Sequence, residues 1–319
     1  MSDPVHDIAN AVLYEGYILW PYRRSAVKNQ QRWTFGGVYP PEHSRAHPDD
    51  PSELHAEVLA EGDAATTVDV AVRFLQVVER RIGRGSGCRR VFVDELTVAG
   101  ERHLAWDEAM EREVRTVVAL GDEARRVAID IAGAADEEPL GEGNAIVRTW
   151  KSLRGSMDVR SAEVDEGRFR LTVRIRNDTP WEGDDRRDAL RHTFCSTHVV
   201  LHTHGGAFAS ATESNCDNAG LWPVLVGEDG ARDTMLAAPI ILPDYPRIAP
   251  ESPGDLFDAT EIDKLLILNV LALTAGEQAE MRASDPRARD ILDRCAALSP
   301  EELMRLHGTI RELRPVVSE

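Results

Sequence analysis

The stretch FRLTVRIR, residues 169–176, decides the fold class. Phe169, Leu171, Val173 and Ile175 alternate with Arg170, Thr172, Arg174 and Arg176, so an extended chain puts the first four on one face and the others on the opposite face. One face is apolar and the other wet, the pattern of an antiparallel strand packed on one side only. Asn177 and Asp178 turn the chain afterward, and Ser156–Val164 reads as the strand before it. Working outward, Val68, Val70, Val72 and Phe74 alternate and continue through Val77 and Val78. Val91, Val93, Leu96, Val98 and then Val127, Ile129, Ile131 supply further strands. Trp106–Val118 fits a strand or a helix, and the acidic run Gly133–Gly143 breaks the alternation. Pro40–Asp63 reads as a loop with a short helix over Ser52–Ala60 capped by Ser52.

The C-terminal part has a different period. Asp255–Leu273 is helix-like, with Asp255, Asp258, Glu261 and Asp263 near its start, where the helix dipole favours acids. Glu277–Leu298, interrupted near Pro286, and Pro300–Leu313 follow as amphipathic helices. Between the two regions lies ILPDYPRIAPESPG, residues 241–254. Its prolines Pro243, Pro246, Pro250 and Pro253 predict an ordered, nonhelical seam that also carries Tyr245 and Ile248. The expected class is therefore α+β, an antiparallel β-sandwich or barrel-like body followed by C-terminal α-helices. The expected division is an aromatic-rich segment over 1–65 packed on the body, a β-rich body over 66–242, and a seam with helices over 243–319.

A formal net charge of −18 argues against nucleic acid, since affinity for phosphate backbones rests on Lys and Arg. No apolar run is long enough for a membrane span, and the acidic N-terminus MSDPVHDIANAV does not resemble a secretory signal, so a cytoplasmic location is expected. Cys88, Cys195, Cys216 and Cys295 form no CxxC pair, as in a reduced compartment. GxSxG, P-loop and GxGxxG signatures are missing from the sequence.

Two groups of residues are candidates for function. The first is CSTHVVLHTHGGAF, residues 195–208. On a strand, His198, Val200, His202 and His204 share one face, with His202 and His204 roughly 7 Å apart along the chain. That pair could begin a site for a transition metal (Zn, Ni or Fe), completed by Cys216, Glu213 or another acid; a catalytic zinc needs three protein ligands. Gly205 and Gly206 read as a hairpin turn. The second group is the N-terminal aromatic cluster, in which Tyr17, Trp20, Tyr22, Arg23 and Trp33 stand among further aromatic and basic residues. With Tyr245 of the seam, they either anchor a protein partner or pack in the protein's own core, since large aromatics serve both ends.

LYEGYILWPYRRSAVKNQQRWTFGGVYP (13–40) and APIILPDYPRIAPESPGDLFDATEID (238–263) resemble an uncharacterised bacterial family associated with gene clusters for nickel–iron hydrogenases of the actinobacterial type. The resemblance runs from Leu13 to about Arg311 and brings no catalytic residues with it. The sequence departs from the family pattern over Ala209–Ala219, where the family has a more apolar, Pro-containing segment. The resemblance implies an accessory protein for hydrogenase assembly, maturation or operation, with hydrogenase subunits or maturation proteins as partners. The alternative reading is a metal-dependent enzyme or metal carrier that uses His202 and His204.

Overall fold

The computed structural model describes residues 4–30, 32–213, 215–248 and 263–299. Two antiparallel sheets face each other. The smaller contains β1 (Glu53–Glu61), β7 (Ala124–Ile131), β10 (Leu153–Asp165), β11 (Arg168–Asn177) and β13 (Ala207–Phe208), in the order β13–β1–β11–β10–β7. The larger is built on β2 (Thr67–Arg84). Around it stand β3 (Val91–Val93), β6 (Trp106–Ala119), β8 (Ala134–Gly141), β9 (Asn144–Trp150), β12 (Cys195–His204), β14 (Trp222–Leu225) and β15 (Thr234–Ala238). A separate hairpin joins β4 (Glu95–Val98) to β5 (Glu101–Leu104).

β2 is the spine because its 18 residues are long enough to hold four partners. One edge pairs with β6 from Thr67 to Arg80 and then with β3; the other pairs with β12 and then with β9. Val68, Val70, Val72 and Phe74 point between the sheets. There they meet Leu171, Val173 and Ile175 of the decisive strand, Leu54, Ala56 and Val58 of β1, and Val199 and Leu201 of β12. The apolar face of FRLTVRIR is thus buried, and Arg170, Arg174 and Arg176 pair with Glu57, Glu53 and Asp158 on the outside.

A second core lies on the opposite face of β2, where Leu75 and Val77 emerge. It is covered by the N-terminal segment and by α4 (Asp263–Leu271), α5 (Ala275–Ser284) and α6 (Pro286–Ala297). Helix α1 (Pro4–Tyr14) continues that layer, its Ile8, Ala9 and Val12 packing on Val224, Leu236 and Ala238. Two short helices, α2 (Pro41–Ala46) and α3 (Arg186–Leu190), complete the structure.

The α+β sandwich with C-terminal helices is the expected class, with two facing sheets and not a closed barrel. The interruption near Pro286 is also present: Asp285 caps α6 by accepting from the Arg287 N–H at 2.8 Å, and Pro286 takes the first turn. Four local readings are corrected or resolved. Ser52–Ala60 contains no helix; β1 pairs along its whole length with β11 and buries its even-numbered residues Leu54, Ala56, Val58 and Ala60. Trp106–Val118 is a strand, held by β2. The acidic run is an edge strand, β8, paired with β9. Gly205 and Gly206 make no hairpin, because β12 and β13 belong to different sheets and the glycines carry the chain across the sandwich. A Cβ on Gly206 would lie 2.6 Å from the Glu61 carbonyl oxygen, so only glycine permits this crossing.

The seam is ordered where described. Tyr245 N–H donates to Leu225 O at 2.7 Å and its hydroxyl to Ala231 O at 3.0 Å, while Asp244 accepts from Leu225 N–H at 2.8 Å. The helix start at Asp255, Asp258 and Glu261, the prolines Pro250 and Pro253, and the helix expected over Pro300–Leu313 lie outside the described residues. Among the described residues, no helix is long and apolar enough to cross a membrane.

Candidate functional site

The N-terminal aromatics turn inward. Tyr17, Tyr22 and Trp33 are buried in the second core, which corrects their assignment as partner anchors: their rings cover α4–α6 and the end of β2. The Tyr17 hydroxyl donates to Asp285 Oδ2 at 2.6 Å, joining the segment to the cap of α6. Burial pushes that hydroxyl well above its ordinary pKa. The Tyr14 hydroxyl donates to Glu111 and accepts from Arg287. Arg23 pairs with Glu277 of α5 at 3.0 Å, so it too serves the joint. Trp20 and Tyr245 are half-buried, Trp20 edge-on to Tyr22 with centroids 5.9 Å apart. Tyr17→Phe is expected to lower stability by about 1–2 kcal/mol, because Asp285 keeps its charge and loses a donor. A urea midpoint that does not move, at unchanged m-value, would contradict this role.

The histidine strand forms as expected. His202 and His204 share a face, with ring centroids 4.7 Å apart and planes at 84°. Each already has a partner: His202 Nδ1 meets Thr234 Oγ1 at 2.9 Å, and His204 Nε2 meets Asp69 Oδ2 at 2.9 Å. Cys216 does not join them. Its neighbours Asp217 and Asn218 are bonded to Glu57 of β1, in the other sheet from the histidine strand. Among the described residues, no three His, Cys, Asp or Glu side chains are placed to hold a metal ion. Among the described residues the metal reading therefore has two ligands and lacks a third; the Glu213 side chain lies outside them. Beside His202, a cavity of about 490 Å³ lies under α1, lined by His6, Asp69, Arg73, Glu113 and Arg115 among others.

A larger cleft, about 810 Å³, lies where the N-terminal segment, the start of β6 and α3 meet. Its floor is Arg32. That guanidinium is buried, with its centre 4.1 Å from the Trp33 ring centroid and 3.7 Å from that of Trp106. Its Nη1 donates to Tyr17 O at 3.1 Å and its Nη2 to Asp107 O. Burial lowers its pKa, offset in part by the nearby Tyr17 and Asp107. Trp33 is held in place by a left-handed backbone, φ +55°, a conformation rare for a bulky residue and one that costs about 1–3 kcal/mol. Around the rim, Arg24 donates to Asp94, Arg186 to the Tyr39 hydroxyl, and Arg187 to Asp107 Oδ2. Four arginines thus line the cleft against two aspartates, Asp107 and Asp185, in a chain whose net charge is −18.

Of the candidate site residues named from sequence, only Trp33 lines this cleft, beside Arg24 and Arg32 of the same N-terminal basic cluster. Arg32 and Trp106 are 74 positions apart, and only the fold brings them together. The signals that were present in the sequence are the Arg32–Trp33 neighbours and the basic run around Arg186, Arg187 and Arg191. No protein-family model matches the chain, and no curated protein matches it.

Proposed function

We propose that this is an accessory protein that acts through contact with another protein, supporting the assembly, maturation or operation of a nickel–iron hydrogenase. The partner assignment rests on the resemblance carried by residues 13–40 and 238–263. The observation that carries the contact itself is the presentation of the seam. Backbone and side-chain bonds at Asp244 and Tyr245 fix it, yet it holds Ile241 80% exposed and Ile248 41% exposed, with Trp222, paired to Ala238, 40% exposed. A mobile loop could fold such side chains away; a pinned one keeps them in water, where they lower the cost of docking a partner.

The test is recovery of partners from native cells expressing hydrogenase, with crosslinking, using the tagged wild type and Ile241→Glu. Hydrogenase subunits or maturation factors are expected with the wild type and at least several-fold less with the variant. Ile241 packs so little that the melting temperature should stay within a degree or so of wild type. Recovery of no hydrogenase component, or equal recovery with both proteins, would sink the reading.

A further inference from the structure

We infer that the Arg32 cleft is a binding site for a small oxyanion carrying at least two negative charges, its oxygens belonging to carboxylate or phosphate groups. This goes beyond a role in protein contact and does not depend on it.

The first argument is the balance of donors and acceptors. The carboxylate of Asp107 is committed to Arg187, with N–O distances of 2.9 and 3.0 Å. That of Asp185 caps α3 by accepting from the Arg187 N–H at 3.1 Å. Asp107 and Asp285 offset the burial of Arg32 only in part and at a distance, without pairing to it. Arg187 takes Oδ2 of Asp107, while the buried Oδ1 of Asp107 has no hydrogen-bond partner among the described residues. The chain has 55 acidic residues, yet among the described residues none makes an ion pair with this buried guanidinium. Its direct hydrogen-bond partners are two backbone carbonyls, which carry dipoles and no charge. Buried charges are ordinarily paired, and arginine stays protonated even where burial lowers its pKa. The indole Nε1–H groups of Trp33 and Trp106, also buried, have no acceptor among the described residues. The walls therefore hold a buried cation without an ion pair and two indole donors without acceptors, against one carboxylate oxygen, Asp107 Oδ1, without a hydrogen-bond donor, all among the described residues.

The second argument is that the rim arginines can be recruited. Arg24 pairs with Asp94, whose side chain is 84% exposed, and Arg186 lies 3.9 Å from Asp50. Exposed or stretched pairs contribute little, so exchanging them for a bound dianion loses little. A planar guanidinium matches carboxylate or phosphate oxygens in pairs, and a buried cation on the floor adds to the positive field of the cleft. The volume suits a ligand of metabolite size.

Isothermal titration calorimetry at low ionic strength tests this, with citrate and inorganic phosphate titrated separately into the full chain. The proteins are the wild type, the Arg24→Gln/Arg186→Gln double variant, and Arg174→Gln as a control on the outer face of the other sheet. One saturable site is expected for at least one of the anions, weakened about tenfold or more in the double variant and unchanged in the control. Saturation by citrate alone assigns carboxylates, and by phosphate alone phosphates. Circular dichroism confirms that the double variant is folded. No saturable heat with either anion at millimolar concentrations, or equal affinity in the double variant and wild type, overturns the site.

Discussion

Alanine at position 155 is expected to destabilise the protein by about 3 kcal/mol or more, at or beyond the upper end for overpacking substitutions. Gly155 has an ordinary extended backbone, so the reason is space and not φ. A Cβ there would lie 2.1 Å from the Arg176 carbonyl oxygen and 2.9 Å from Cζ of Phe194. Neither neighbour can retreat cheaply. The Phe194 ring stacks on Phe74 with centroids 4.7 Å apart in the centre of the sandwich. The strand carrying Arg176 is pinned one residue later, where Asn177 Nδ2 donates to Val38 O and to His192 O, each at 2.7 Å. The Asp178 N–H then donates to Arg154 O at 2.9 Å. Separating β10 from β11 enough to admit a methyl group would break these bonds and open a gap beside Phe194. Urea unfolding is the measurement. A midpoint within the equivalent of half a kcal/mol of wild type would show that the two strands part more easily than this geometry implies.

How much of this was legible in the sequence depends on whether a residue's partner is local. Phe169–Arg176, Val68–Phe74 and Ser196–His204 declared themselves because alternation is a property of the strand alone. β1 also alternates, but through Ala56 and Ala60, which suit a helix as well as a strand, and its acidic residues favour helix too. β8 has almost no buried side chain. Its existence rests on backbone bonds to β9, which leave no trace in side-chain pattern. The aromatic segment was legible as important and ambiguous as to why: a tyrosine that anchors a partner and one that seals a domain joint have the same composition. Asp285 decides for Tyr17, and it is 268 residues away. The histidines show the same limit. Period two correctly placed His202 and His204 on one face, and a third ligand was a question about the other sheet.

That face carries one more histidine, and its titration is expected to be visible in the stability of the whole protein. His198 is fully buried and stands opposite Arg73 in the register of β12 with β2. Its Nδ1 lies 3.2 Å from Ser196 O, an acceptor only, so Nδ1 bears the proton of a neutral ring and Nε2, which has no partner among the described residues, bears the lone pair. Burial is the main cause that lowers its pKa from the usual 6.5 to about 4. Arg73 adds to this; the Ser196 carbonyl and Glu113 oppose it. As pH falls below 6.5, the unfolded chain takes up a proton that the folded chain refuses. The contribution of the neutral ring is therefore complete above 6.5, falls between 6.5 and about 4, and is lost below that, a change of about 3 kcal/mol. His198→Gln cannot titrate, while every other histidine and carboxylate titrates in both proteins and cancels in the difference. Urea midpoints measured from pH 8 to pH 4 should show the wild type losing ground to the variant through that window. Parallel curves would mean that the folded protein accepts the proton as readily as the unfolded chain does, and that water or a rearranged Glu113 reaches Nε2.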